Sequence, residues 1–152
     1  MARIREIENT YRTVANDANN ALASALFYFA DSDYSENTSG RSVLGIAYAS
    51  TFITIFQKRY KNNTGGLGQP SSALVNEAVL KHEFWHILGS VNLGSDLVSA
   101  HEDTNHPKHF EEEDCLMYLA VETGDLFSNI LGGVVPQLDA QCIADLRNNG
   151  GN

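Results

Sequence analysis

The sequence predicts a small α+β domain, in which a helix and a small mixed sheet pack on a second, longer helix. Residues 4–25 repeat apolar side chains at steps of three or four, which is typical of a helix. Residues 25–30 and 43–57 are rich in branched and aromatic side chains, which favours strands. The second run is long enough for one bent strand or for two short strands joined near residues 49–51. Helical periodicity returns at residues 73–88.

One domain with two unequal halves is expected from the length of 152 residues. Residues 1–89 form the predicted upper half and residues 90–152 the lower half. Residues 58–68 are basic and then rich in Asn and Gly, which predicts a loop. Residues 90–114 show no clear periodicity, and an irregular stretch of this length is often functional. A closing helix is predicted at residues 138–146.

The net charge of the chain limits the classes of partner that it is expected to bind. A net charge of −9 argues against nucleic acid or an anionic membrane as the main partner, because both would repel an acidic surface. No apolar run approaches the length of a transmembrane helix. We expect a monomer.

The predicted long helix carries the pattern His82-Glu83-x-x-His86. Residues four apart lie on one face of a helix, so both imidazoles can point at one ion. Zinc accepts neutral imidazole nitrogen in a tetrahedral shell, and Glu83 is placed to take a proton from a bound water. Ser71 or Ser72 would cap the start of the helix, and Gly89 its end. The alternative interpretation is a buried helix with hydrogen-bonded histidines.

These residues resemble the metzincin clan of zinc peptidases, whose pattern is H-E-x-x-H-x-x-G-x-x-H followed by a methionine turn beneath the metal. His82, Glu83, His86 and Gly89 match in type and spacing. Asn92 stands where the third histidine is expected, and asparagine is a poor zinc ligand. The resemblance implies a zincin-like fold with an irregular lower half that contains the methionine turn and a closing helix.

The third metal ligand is predicted from the methionine turn at the end of the pattern. Cys115-Leu116-Met117-Tyr118 resembles the methionine turn, and in matrixin-like and archaemetzincin-like sequences the third histidine stands eight residues before that methionine. Here this position is His109, which implies an insertion across residues 90–108. Asp103 could orient one of the imidazoles. The alternatives for the third ligand are His101, His106 and Asn92.

A possible substrate-binding strand precedes the helix. Leu44-Gly45-Ile46-Ala47 is similar to the edge strand that borders the cleft in this clan. An edge strand has free backbone donors and acceptors with which an extended peptide can pair. A plain core strand is the equal alternative.

Two cysteines, Cys115 and Cys142, form a candidate disulfide that would tie the segment after the site to the closing helix. Two thiols are the alternative, and they suit a cytosolic protein. We expect an extracellular, periplasmic or surface-anchored protein rather than a cytoplasmic one. No secretory signal stands at the start, and the sequence leaves open whether a leader precedes Met1.

The resemblance implies a zinc-dependent endopeptidase that acts on a peptide or protein substrate. Zn²⁺ is the expected cofactor, held by His82, His86 and His109, with Glu83 as general base and Met117 as an apolar floor. Two alternatives remain open. One is a catalytically silent binding domain, which the Asn92 departure motivates, and the other is a zinc hydrolase or amidase of a non-protein substrate.

Overall fold

A three-stranded sheet packed against one long helix forms the centre of the computed structural model of the chain. The structure describes residues 2–14, 16, 17, 19, 22–38, 42–49, 51–61, 64–121, 123, 130 and 133–151. Within these residues the fold is α+β, as predicted. The helices are α1 Ala2–Tyr11, α2 Gln57–Lys61, α3 Ser72–Ile87 and α4 Ala140–Asn148, and a 3₁₀ turn spans Leu119–Val121. The strands are β1 Leu26–Ala30, β2 Gly45–Tyr48 and β3 Phe52–Phe56.

The sheet is mixed, with the strand order β1-β3-β2. β3 pairs in parallel with β1 and antiparallel with β2. All five residues of β3 are buried, which explains its continuous run of branched and aromatic side chains. β2 is therefore an edge strand, and α3 packs across it.

Two apolar clusters lie on α3, and Trp85 packs against both of them. The larger cluster joins α3 to the sheet, with Leu44, Ile53 and Val79 at its centre and fully buried. The smaller cluster lies among the lower-half residues and contains Phe110, Met117 and the two cysteines. α3 is thus the element that both halves of the chain share.

The long helix begins and ends where its sequence predicts. The Ser71 side chain accepts a hydrogen bond from the Leu74 N–H at 3.2 Å, which satisfies one of the free donors of the first turn. Gly89 follows the helix with φ +87°, a left-handed conformation that glycine adopts without steric cost. The chain can therefore turn sharply three residues after His86.

The prediction of a helix over residues 4–25 is wrong in its length, because α1 ends at Tyr11. The Arg12 guanidinium donates to the carbonyl oxygens of Ser24 at 3.0 Å and Thr51 at 2.7 Å. The contact with Ser24 is incompatible with a continuous helix, in which residues 12 and 24 would lie about 18 Å apart. Leu22, one of the apolar repeats, is 45% exposed. Tertiary hydrogen bonds have therefore overridden a local pattern that had little apolar surface to bury.

The predicted loop at residues 58–68 is also partly wrong, because the short helix α2 extends to Lys61. Lys58 and Lys61 lie 3.6 and 3.1 Å from the carboxylates of Asp33 and Asp31, and cations suit the last turn of a helix. The other predicted strands, the irregular stretch at residues 90–114 and the closing helix are confirmed, with α4 two residues later at each end. In the described part of the chain, no helix has the length and apolar character needed to span a bilayer.

Candidate metal centre

Helix α3 places two imidazoles side by side. His82 and His86 are one turn apart, and their Nε2 atoms are separated by 3.0 Å. The rings are nearly perpendicular, at 85°, so the two nitrogens converge while the ring faces do not stack. Two nitrogens bound tetrahedrally to one zinc ion, each at 2.0–2.1 Å, would be about 3.3 Å apart. The spacing of this pair therefore fits a shared metal.

His109 completes a group of three imidazoles. Its ring centroid lies 5.3 Å from that of His82 and 5.4 Å from that of His86. One ring nitrogen from each residue can be chosen so that all three lie within 4.8 Å of one another. His109 is only 6% exposed although it belongs to an irregular segment. These three residues can hold a metal ion, and the donor set of three imidazoles suits zinc.

A backbone carbonyl fixes the orientation of His82. Its Nδ1 lies 2.8 Å from the carbonyl oxygen of Leu116. A carbonyl only accepts, so Nδ1 carries the proton and donates it, which leaves the lone pair on Nε2. Metal-binding histidines in proteins are commonly oriented in this way by a hydrogen bond on the far side of the ring. Leu116 directly precedes Met117, so the predicted methionine turn supplies this contact.

Burial keeps His86 neutral. Desolvation, together with the smaller effects of the neighbouring His109 and Lys108, lowers its pKa to about 3. Neutral imidazole is the form that binds a metal. At neutral pH the ring is therefore ready to act as a ligand without first losing a proton.

Glu83 lies in the wall of the same cavity as His86 and His109. It is 1% exposed, which is unusual for a carboxylate on a helix. The cavity has a volume of about 350 Å³ and is bordered on one side by β2 and on the other by residues 93 and 108–109. A small peptide segment could enter it and lie beside both the imidazoles and this carboxylate.

Gly45 makes room for Glu83. A Cβ atom added at Gly45 would lie 2.6 Å from Glu83 Oε1, 2.8 Å from Glu83 Cγ and 2.7 Å from Val79 Cγ1. All three distances are shorter than a carbon atom tolerates, so the carboxylate would have to move. The absence of a side chain on the edge strand thus sets the position of the predicted base.

Gly45→Ala is therefore expected to lower kcat/KM by roughly 100-fold for any hydrolysis in which Glu83 acts as the general base, because a shift of about 1 Å in a catalytic group has that effect. The metal content, measured by atomic absorption, should be unchanged because no imidazole is touched. In the Glu83→Gln background the same substitution should have no further effect on the rate. Unchanged kcat/KM in Gly45→Ala would show that this contact does not position Glu83.

The residues of the predicted edge strand lie in two different environments. Ile46 and Ala47 line the cavity, whereas Leu44 is fully buried in the core cluster. Gly45 packs against α3 beneath Glu83. The two alternatives for this strand, cleft border and core strand, thus describe different residues of the same segment.

The remaining candidates for the third ligand lie elsewhere. His101 Nε2 is 3.1 Å from Asp145 Oδ2 on α4, and its Nδ1 is 2.8 Å from the Ser99 carbonyl oxygen. His106 lies on the surface with Nδ1 2.7 Å from Asp103 Oδ2. The Asp103 carboxylate therefore orients His106. Asn92 is exposed with φ +59°, and its Nδ2 donates to Glu102 Oε2 at 3.5 Å.

Met117 and the two cysteines share the smaller apolar cluster, and Met117 is fully buried there. The Sγ atoms of Cys115 and Cys142 are 3.0 Å apart, within reach of the predicted disulfide, which stays a prediction. A hydrogen bond from Cys142 lowers the pKa of Cys115, and the same contact raises the pKa of Cys142. Asp139 joins them to form a second group that could hold a metal ion.

Two residues of these sites escape sequence reasoning. Asp139 caps α4 by accepting from the Cys142 N–H at 2.7 Å, and an Asp just before a helical segment is a recognisable capping signal. Lys108 lines the cavity beside His109, and its position next to a predicted ligand is the signal that could have identified it.

No protein family, no curated protein and no solved structure matches this chain. What the site can do therefore follows from its own geometry. Three imidazoles converge at a cavity, and a buried carboxylate lies in the wall of that cavity.

Proposed function

We propose that this chain is a zinc-dependent endopeptidase of the metzincin type. The observation that carries the proposal is the meeting of His109 with His82 and His86 beside a cavity that also contains Glu83. Three imidazoles leave one tetrahedral position for water, which is the arrangement of catalytic rather than structural zinc. The alternative of a catalytically silent domain depends on Asn92, which stands where a third histidine is expected. His109 would supply that third imidazole instead.

Each polar residue then has a defined task in peptide hydrolysis. Zinc bound by the imidazoles would supply a Lewis acid and lower the pKa of a water to about 7. Glu83 accepts a proton from the attacking water and later delivers it to the leaving amine. The Leu116 carbonyl holds His82 in the tautomer that keeps Nε2 free. Burial of Glu83 strengthens its interactions with the charges that develop beside it.

The edge strand β2 would bind the substrate backbone. β2 pairs with β3 on one side only, and Ile46 and Ala47 border the cavity. An extended peptide can add to such an edge through main-chain hydrogen bonds, which hold it without regard to its side chains. This mode of binding supports cleavage within a chain, since the peptide can continue past both ends of a short strand.

A location outside the cytoplasm belongs to the same proposal. The closeness of the Cys115 and Cys142 sulfurs supports it, because such a pair forms a disulfide in an oxidising compartment.

Removal of the metal tests the proposed function. We expect the purified protein to hydrolyse a quenched fluorescent peptide library, to lose this activity with a chelator, and to regain it with added Zn²⁺. Magnesium added in place of zinc should not restore the rate, since imidazole ligands favour zinc. Amino-acid amides and simple esters in parallel assays would identify a hydrolase of non-protein substrates. A zinc-loaded protein that hydrolyses no peptide would contradict the peptidase proposal.

A further inference from the structure

Lys108 lies at the mouth of the cavity, directly before the ligand His109. It lines the cavity together with Glu83 and His86, and it is exposed. Its ammonium group makes no ion pair with any residue that the structure describes, whereas Lys58, Lys61 and Lys81 each lie within 4 Å of a carboxylate. A cation without a carboxylate partner therefore stands beside the predicted reaction centre.

The charge around this cation is unlike that of the whole chain. The chain carries a net charge of −9, yet among the described residues the only carboxylate in the cavity lining is that of Glu83, which is buried. Lys108 is the only Lys or Arg among these lining residues. An anionic group entering the cavity would thus meet an exposed positive charge and, within this described lining, no exposed negative one. The net negative charge of the whole chain would repel the same group.

The backbone holds Lys108 in place. Its φ is +72°, in the left-handed region that residues with a side chain seldom adopt. The Lys108 N–H donates to Glu102 Oε1 at 2.8 Å, and Asn92 Nδ2 donates to Glu102 Oε2 at 3.5 Å. Both oxygens of the Glu102 carboxylate therefore accept hydrogen bonds from this loop. Strained residues that their surroundings hold in place are found preferentially at binding sites.

We propose that Lys108 binds a carboxylate of the substrate next to the scissile bond, so that the cleft selects anionic peptides. This inference rests on the proposed peptidase function. The carboxylate is that of an Asp or Glu side chain or the free carboxyl terminus of the peptide. A lysine ammonium is a flexible point charge and accepts either source.

Binding of uncleaved peptides tests the inference without catalysis. The zinc-loaded Glu83→Gln variant is titrated with three fluorescent peptides of one sequence. The first peptide is neutral and amidated. The second carries one Glu, which is placed in turn at each position near the scissile bond. The third is neutral apart from a free carboxyl terminus. We expect one anionic form to bind about threefold to tenfold more tightly than the neutral form, with a smaller difference at high salt.

Substitutions of Lys108 test whether this residue causes the difference in peptide affinity. Lys108→Met should abolish the preference, Lys108→Glu should reverse it, and Lys108→Arg should keep it. Lys81→Met, which alters a lysine paired with Glu77 on the exposed side of α3, is the matched control and should change nothing. The anionic form that shows the preference identifies the source of the carboxylate.

Equal affinity for all three peptides would overturn the inference, and so would a preference that survives in Lys108→Met. Absence of binding by every peptide would overturn it as well. The proposed function is judged separately by hydrolysis with intact Glu83. A carboxylate preference without hydrolysis would refute the peptidase and keep the binding site, and hydrolysis without a preference would do the reverse.

Discussion

Glu83→Gln is expected to abolish peptide hydrolysis while the protein keeps its zinc. Glutamine has the shape of glutamate and fits the same buried space, but its amide cannot accept a proton from the attacking water. Loss of a general base lowers the rate by about 100- to 10,000-fold. The measurements are kcat/KM on a quenched fluorescent peptide and zinc content by atomic absorption on the same preparation.

Glu77→Gln is the matched control for this prediction. Glu77 lies on the same helix, is half exposed and pairs with Lys81 at 2.7 Å. An exposed pair of this kind contributes little to stability, so the control should keep both its zinc and its rate. Full turnover in Glu83→Gln would remove Glu83 from the mechanism, and loss of zinc in that variant would mean that the carboxylate itself binds the metal.

His109→Ala is expected to lower zinc affinity by at least about 100-fold, because the loss of a ligand has a larger effect than the 10- to 100-fold loss seen when a residue behind a ligand is removed. Two imidazoles on α3 would remain, and they leave half of a tetrahedral shell to water. Competition with a fluorescent zinc chelator measures the affinity, and peptide hydrolysis should fall with it.

The other two histidines of the same loop serve as controls. His106→Ala should keep full zinc affinity, because His106 lies on the surface against Asp103. His101→Ala should also keep zinc but should lower the melting temperature, since Asp145 Oδ2 would lose the imidazole that lies 3.1 Å from it. Loss of zinc in His101→Ala, with retention in His109→Ala, would assign the third ligand to His101 instead.

Sequence patterns correctly predicted the helix and strands that depend on interactions between residues close together in the chain. Helix α3 could be read from its apolar spacing, its Ser71 cap and the glycine that follows it, because each of these acts within one or two turns. The spacing of His82 and His86 follows from helix geometry alone. β2 and β3 were predictable because both are short and rich in branched and aromatic side chains.

Contacts between distant residues account for the errors. The end of α1 depends on the hydrogen bonds from Arg12 to Ser24 and Thr51, and no sequence pattern near residue 12 indicates those partners. α2 lies close to Asp31 and Asp33, which stand far from it in the sequence. Spacing within one helix could not identify His109. Its distance from Met117 along the sequence could, because an isolated β-bridge joins the residues that follow them, Phe110 and Tyr118.

That bridge bears on how the sequence of such a domain can vary. The Phe110 N–H donates to the Met117 carbonyl at 3.0 Å, and Phe110 also bridges to Tyr118. His109 is therefore anchored from its carboxyl-terminal side, and the Asp103 N–H, which donates to the His109 carbonyl oxygen at 2.8 Å, anchors it from the other side. A graft that replaces the exposed residues 92–94 and keeps the buried Val91 would leave these anchors in place and change what can approach the cavity.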